Sequence, residues 1–560
     1  MRIVAAPCAL ALVLGLWGIR RGGSIWRDEV VTYDMAHRSL PDLWHTLQHV
    51  DAVHGLYYLF MHGLFAVVGG GVTTLRLPSA LAMTAAAAGV ALLGTRVAGR
   101  RAGIAAGLIF PLLPPVQEYA QEGRSYALVC ALVTWSTYLL VRALDASAAL
   151  EAGPASPPGP EAGPVAKSAV GPEVGSAAKF AVGSEVGSAA VSWLGLFRVP
   201  GAARRRWAGY ALVTLVACLL HEFAVLVLTA HAVTVVLAGV PSAVRGAVRR
   251  TWLVAAVVVV VGLAPQALFS AGQSAQLSWI LWPDPVQLAT FALLAVVGVL
   301  CARVPARARV PVPARLPTPA REAVSVRVPV PPQDPVGMRP LALPLLIAPQ
   351  VTLMLLSQLK PVYVDRYVLY YVVGFALLAG AALDRVFRPL TGDGPGDPRA
   401  VRVRRRTAWA LAAVLVGLLP LSVHLRGPES RKDDATAVVQ AVRDLAEPGD
   451  GLLFTPARRR VWTLSEPEQF RGLTDLALSR SPASSGTLYG TEVSADRIEA
   501  RMYAAERIVV LGDPHGEPED ETSREAAKRT VLRDSFERCA VRDVTGARVS
   551  VYARPGHCND

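Results

Sequence analysis

The feature that most limits what this chain can fold into is a series of apolar runs, each long enough or nearly long enough to cross a bilayer. They lie at residues 3–19, 75–95, 102–116, 125–141, 207–220, 223–240, 252–269, 286–302, 341–356, 367–383 and 407–423. A hydrocarbon core of about 30 Å takes about 20 residues of helix. Backbone polar groups in lipid must be satisfied within the segment, so such runs are expected to be helical. The expectation is a polytopic α-helical membrane protein with about eleven transmembrane helices. With 52% hydrophobic residues and a mean hydropathy of +0.38, the chain carries far more apolar sequence than soluble cores of its length need. Arg2 before the first run suggests a signal peptide, but no small-x-small cleavage site follows, and the run reads as an uncleaved first span.

The net charge of +13 is that of a nucleic-acid binder, yet the arginines cluster beside the apolar runs, where a membrane protein keeps its cytoplasmic loops. Nucleic acid is therefore not an expected partner; the lipid bilayer is. One run decides the topology. Residues 54–70, HGLYYLFMHGLFAVVGG, are apolar but short, broken by glycines, and carry His54 and His62. If this run lies along the outer interface without crossing, the N-terminus is cytoplasmic and every strongly basic loop falls inside: Arg96, Arg100 and Arg101; Arg204–Arg206; Arg245, Arg249 and Arg250; 303–339; and Arg385 to Arg406. Arg20 and Arg21 alone are left outside against the rule. Nearly all the acidic, His and Trp residues near the membrane then gather on the extracytoplasmic side, in a cell-membrane, multi-pass protein.

Residues 145–203 contain the imperfect repeat AVGPEVGSAAK and AVGSEVGSAAV, and 303–340 repeat Val-Pro and Arg-Val-Pro. Neither composition buries enough apolar surface to fold alone, and both read as low-complexity cytoplasmic inserts. Residues 1–424 thus form the transmembrane domain, and 425–560, charged and turn-rich, form a small extracytoplasmic α/β domain. In it a helix is expected near 433–445 and strands at 451–455, 507–512 and 549–553. Cys8, Cys130, Cys218 and Cys301 sit in or beside apolar runs as small buried hydrophobes. Cys539 and Cys558 lie in polar sequence, where an extracytoplasmic disulfide is one of two open readings.

Four polar clusters fall on the outer side. Asp28 and Glu29 follow Trp26 and Arg27; a carboxylate held there could accept a proton from an attacking hydroxyl, although Asp-Glu also suits a helix start. Gln117 to Tyr126 join two spans and include Gln121, Glu122 and Arg124, whose guanidinium suits a phosphate oxygen or an interfacial anchor. His221 and Glu222 interrupt an apolar stretch and mark a turn or a polar cavity. A divalent metal, held by His221 with Glu29 or Glu122, is the one cofactor the pattern leaves open. Lys360 and Arg366 add cations that either snorkel or complete a phosphate-binding rim with Arg124. Trp279 and Trp282 suit an interface belt or a sugar platform.

These motifs, RDEVVTYDMA at Arg27, HGLYYLFMH at His54, LRLPSA at Leu75, QEGRSYAL at Gln121, HEFA at His221 and PVYVDRYVL at Pro361, resemble in order the integral-membrane glycosyltransferases of the GT-C fold. The resemblance is to the bacterial branch related to protein O-mannosyltransferases and lipid A aminoarabinose transferases, and covers about residues 1–424 without the inserts. It implies transfer of a sugar, a mannose-like hexose or similar, from a polyprenyl-phosphate donor to a cell-envelope glycan, lipid or protein acceptor, with inversion. Carried onto this chain, it makes Asp28 the general base with Glu29 beside it. Arg124, Lys360 and Arg366 become the donor-phosphate ligands, and His54, Tyr57, Gln121, Glu122, Tyr126, His221, Glu222 and Tyr367 the pocket. The chain departs from the family at His54-Gly-Leu-Tyr, where many relatives have His or Lys followed by Pro. Two rival readings remain: a transporter of a lipid or envelope precursor, against which stands the lack of repeated halves, and a membrane anchor for the C-terminal domain, for which about eleven spans is excessive.

Overall fold

In a computed structural model, the structure describes residues 2–149, 201–273, 285–304, 335–387 and 398–558. Trp279, Trp282 and nearly all of both inserts lie outside the described residues.

Helix α1 (Ala5–Leu16) ends in a turn with Gly18, Arg21, Gly22 and Gly23 at positive φ. The chain leaves it bent by 89° into α2 (Arg27–His37), followed by α3 (Leu40–Leu47) and α4 (Gly55–Val68). At 14 residues, α4 is about 21 Å long, short of a hydrocarbon core, and it packs on α2. Next come α5 (Val72–Ala98), α6 (Arg100–Ile109), α7 (Pro114–Tyr119), α8 (Tyr126–Ala149), α9 (Gly201–Leu220), α10 (Val227–Leu237), α11 (Ser242–Ala271), α12 (Pro285–Arg303), α13 (Met338–Ser357), α14 (Tyr371–Phe387) and α15 (Pro398–His424).

Among the described residues six helices are long and apolar enough to span: α5, α8, α11, α12, α13 and α15 from Val401 onward. Counting the bent pair α1 and α2 as one span makes seven. The other expected runs are helical but shorter or interrupted. Run 102–116 breaks where Pro111, Pro114 and Pro115 cannot donate to a helical ladder, leaving α6 with ten residues. Run 207–220 lies in α9, whose start carries Arg204, Arg205 and Arg206. Run 223–240 opens as a 3₁₀ turn, Glu222–Leu226, before α10, and run 367–383 begins in another, Asp365–Val368, before α14. Helix α14 reaches the centre of the bundle through glycines. A Cβ on Gly380 would collide with the backbone of Ala106 on α6, and one on Gly374 would lie 2.5 Å from the Ala342 carbonyl of α13. Helices α12 and α15 stand at the rim and expose Leu293 and Val296, Trp409 and Val416 outward, as a lipid-facing surface does.

After α15 the chain forms α16 (Ala435–Leu445), β1 (Gly451–Thr455), β2 (Thr474–Asp475), β3 (Leu478–Arg480), α17 (Pro482–Ser485), β4 (Thr491–Glu492), α18 (Ala495–Tyr503), β5 (Arg507–Gly512), α19 (Ser523–Ser535), β6 (Glu537–Val544) and β7 (Ala547–Ala553). The sheet order is β2-β1-β5-β7-β6, with β2, β1 and β5 parallel and β7 and β6 antiparallel. The three expected strands are β1, β5 and β7. Strand β6, ERCAVRDV, escapes a hydrophobic reading because it is an exposed, charged edge, the usual protection of a sheet against further pairing. Cys539 on β6 and Cys558 after β7 form a disulfide, with Cα atoms 5.0 Å apart, which resolves the open reading of that pair.

Candidate active site

Adjacent residues on a helix point about 100° apart, and at the first turn of α2 this separates the two carboxylates. Glu29 is fully buried. It accepts hydrogen bonds from Arg76 Nε (2.7 Å) and Nη2 (2.6 Å), from Arg21 Nη2 (3.1 Å) and from the Gly123 N–H (2.9 Å). Arg76 also donates to the carbonyls of Ile19 (2.8 Å) and Ser24 (2.6 Å), so a single guanidinium pins the turn between α1 and α2. Burial raises the Glu29 pKa, but Arg76 and Arg21 outweigh it and hold it at about 2. Glu29 is thus a fixed negative centre that ties α2 to α5 and to the loop before α8.

Asp28 faces the other way. Its side chain is 18% exposed, with Arg27 Nε and Arg366 Nη2 each 3.7 Å from its oxygens. Burial pushes its pKa up, but Arg124, Arg27 and Arg366 more than compensate and hold it below the usual carboxylate value. Asp28 is therefore ionised and within reach of a ligand, the state a general base requires.

Arg124 is buried, and its Nη1 donates to Tyr58 Oη (3.0 Å) and Thr32 Oγ1 (3.5 Å), while its Nε has no partner. Tyr58 in turn donates to Asp51, a buried residue in the left-handed conformation at φ 61°. His54 Nε2 lies 3.9 Å from the same Asp51 carboxylate. Arg366 donates through Nε to Tyr126 Oη (3.2 Å) and lies over the Tyr126 ring, 5.6 Å from its centroid. His221 joins them, with ring centroids 4.6 Å from Tyr367, 5.5 Å from Tyr126 and 5.6 Å from His54. Asp28, His54, Arg124, Tyr126, His221, Arg366 and Tyr367, from five stretches of sequence, thus meet in one constellation.

Besides Glu29, five expected site residues stand apart from it. Gln121 uses its amide to cap the end of α1, donating to the carbonyls of Gly15 (3.1 Å) and Trp17 (2.6 Å). Glu222 accepts from Ser270 Oγ (2.7 Å) on α11. Lys360 is exposed, and its side chain pairs with no acid among the described residues. Glu122 is buried near Arg431 Nε (3.7 Å), with Oε1 unpartnered, and burial raises its pKa to about 7. Tyr57 is buried beside Tyr58 with its hydroxyl unpartnered. For a metal the residues do not fit. The Glu29 oxygens are occupied by guanidinium and amide donors, and among the described residues no three His, Cys, Asp or Glu side chains converge as ligands.

Arg21, Arg76, Asp51 and Tyr58 escape the sequence reading. The signal for Arg76 is a charge inside an apolar run, the mark of a residue with a buried partner. Arg21 explains its place outside the positive-inside pattern, since a guanidinium buried on Glu29 is a structural ion. The C-terminal domain also takes part. Trp26, at the N-cap of α2, offers no side-chain acceptor, and the Arg27 N–H donates instead to Asp433 Oδ1 (2.7 Å). Ala435 N–H donates to the Ile25 carbonyl (2.8 Å) beside it.

Neither protein-family models nor curated proteins include one that matches this sequence. Among solved structures, the crystal structure of ArnT from Cupriavidus metallidurans in the apo state is similar with a TM-score of 0.51. Identity is 13%, covering 98% of this chain and 97% of that one. The same protein bound to undecaprenyl phosphate gives a TM-score of 0.50 at the same identity and coverage. At that identity the likeness speaks to fold. The chain shares that fold, a polytopic α-helical membrane domain followed by a mixed α/β domain.

Proposed function

We propose that this chain is a membrane glycosyltransferase that moves a sugar from a polyprenyl-phosphate donor to an extracytoplasmic acceptor, with Asp28 as general base. The observation that carries the reading is an ionised, accessible carboxylate facing two guanidiniums, Arg366 directly and Arg124 through its field. The acceptor hydroxyl attacks the anomeric carbon from the face opposite the phosphate. The new C–O bond forms as the anomeric C–O bond to phosphate breaks, the hydroxyl proton passes to Asp28, and polyprenyl phosphate leaves with the electron pair. The product is inverted. Arg124 and Arg366 stabilise the charge gained by the leaving phosphate. By drawing their field toward itself, the bound phosphate also makes Asp28 more basic than in the empty site. A donor that cannot leave the bilayer needs its reacting groups beside the membrane face, where the turn between α1 and α2 holds them. The similarity in fold to a protein crystallised with undecaprenyl phosphate supports this donor class. The sugar is a mannose-like hexose or similar, and the acceptor an envelope glycan, lipid or protein.

The test supplies radiolabelled polyprenyl-phosphate sugars to membranes with and without the protein and identifies the labelled product. Asp28→Asn is expected to abolish transfer while leaving expression and insertion intact, since the general base alone contributes about 10²–10⁴-fold. Retained transfer in that variant removes Asp28 from the role.

A further inference from the structure

The strongest unexplained feature lies in the C-terminal domain. Strand β1 has β2 on one side and β5 on the other, so the chain leaves toward one edge of the sheet and returns to build the other. In open α/β sheets ligands bind at such a switch point, in the crevice outside the carboxyl ends of the strands. A cavity of about 480 Å³ opens there, within the range of small-ligand pockets. Its floor is one face of the sheet, with Val510 and Gly512 from β5 opposite Ser550 and Arg548 from β7. Residues 513–520 form one wall, and α19 contributes Glu525 and Arg529, one turn apart, to the other.

The polar lining is left wanting partners. Glu525 is 3% exposed; its Oε1 accepts from the Ala457 N–H (3.0 Å) and from Lys528 Nζ (2.8 Å), but Oε2 is buried with none. The hydroxyls of Thr455, Ser550 and Tyr552 also make no hydrogen bond among the described residues. The cations, in contrast, are engaged: Arg529 with Glu519 (3.0 Å) and Arg548 with Asp543 (2.7 Å). One buried acceptor oxygen and three hydroxyls that can donate or accept, beside neutralised cations, disfavour a phosphate or a uronate and favour a ligand rich in hydroxyl groups. The Tyr552 ring offers the apolar surface that one face of a sugar requires.

The cavity also connects to the reacting groups. Its wall residue Asp513 pairs with Arg459, whose Nη1 lies 3.8 Å from Asp433; Asp433 accepts from the N–H of Arg27, and Arg27 pairs with Asp28. We propose that this cavity binds a neutral glycan segment of the acceptor and so holds the acceptor next to the reacting carboxylate. The proposal rests on the glycosyltransferase reading for its purpose but not for its chemistry.

The test is capture of oligosaccharides by the full chain in lipid nanodiscs, on an array of neutral, amino-substituted and uronate-bearing glycans, with calcium alone as a control. Wild type and Asp28→Asn are expected to retain the same neutral glycans. Glu525→Gln and Tyr552→Ala are expected to weaken retention about tenfold, the loss of one hydrogen bond or ring contact worth about 1.4 kcal/mol. Thermal midpoints of the variants establish that they fold, and Tyr552→Ala carries the comparison if Glu525→Gln does not. Unchanged capture in a folded variant, capture of uronates alone, no capture at all, or a response to calcium alone overturns the proposal. Capture by a protein that transfers no sugar removes the catalytic reading and leaves the site standing.

Discussion

A buried carboxylate survives only with partners or as the neutral acid, and this chain holds both cases, in Glu29 and in Glu122, whose neighbour Gly123 donates to Glu29. Glu29 has two guanidiniums and an amide and is ionised at any physiological pH. Glu122, 2% exposed with one oxygen unpartnered, has its pKa raised to about 7, first by burial. A carboxyl raised from 4.5 to about 7 on folding gives stability that is full below the lower value and lost as pH climbs through the upper one. Glu122→Gln is therefore expected to match wild type near pH 4.5 and to be the more stable at pH 8, by on the order of 3 kcal/mol. Thermal midpoints in detergent at the two pH values check this, and equal gaps at both remove Glu122 as a titrating group. The RDE and QEG motifs made these acids visible in sequence. Their opposite states were not legible, because the partners come from Arg21, across an irregular turn, and from Arg76 and Arg431, tens to hundreds of residues away.

At the scale of the element, α2 is a helix whose start is capped from another domain. Its first N–H groups need acceptors, Trp26 has none to offer, and Asp433 supplies one across 406 residues. The cap sets the direction in which Asp28 leaves the first turn. Loss of such a cap costs about 1 kcal/mol, and a small misplacement of a reacting group can cost far more in rate. Asp433→Ala is expected to lower kcat about tenfold or more with little change in donor KM. Asp433→Asn, which keeps an acceptor oxygen, is expected to recover most of the loss. Initial rates over a range of donor concentrations separate the two, and faster hydrogen exchange at residues 25–30 in the alanine variant alone ties the effect to the cap. A rate unchanged by Asp433→Ala would make the clasp architectural only. Elements such as α5, α8 and α13 were readable from apolar length. The break at 221–226 was legible as a charged pair, whereas that at 110–115 falls inside a run read as continuous from its apolar length; the path taken at either was not legible, because a 3₁₀ turn and a short helix share one composition.

For the molecule as a whole, a single topological choice puts Asp28, Arg124, His221 and Arg366 on one side of the membrane. The short, glycine-broken 54–70 segment is α4, about 21 Å long and packed on α2, while α5 at 27 residues is about 40 Å long and exceeds the hydrocarbon core. If α4 lies along the interface and α5 crosses, Gly70 and Arg100 lie on opposite faces, with the arginines after α5 inside as the positive-inside rule requires. The Cys539–Cys558 disulfide independently favours an oxidising compartment for the C-terminal domain. Reporter fusions after Gly70 and after Arg100, one active only outside the cell and one only inside, are expected to report opposite faces. A fusion at the C-terminus should agree with Gly70. The same face for Gly70 and Arg100 would require α5 to return without crossing, and the constellation around Asp28 could not then share the membrane surface on which a lipid-linked donor presents its phosphate.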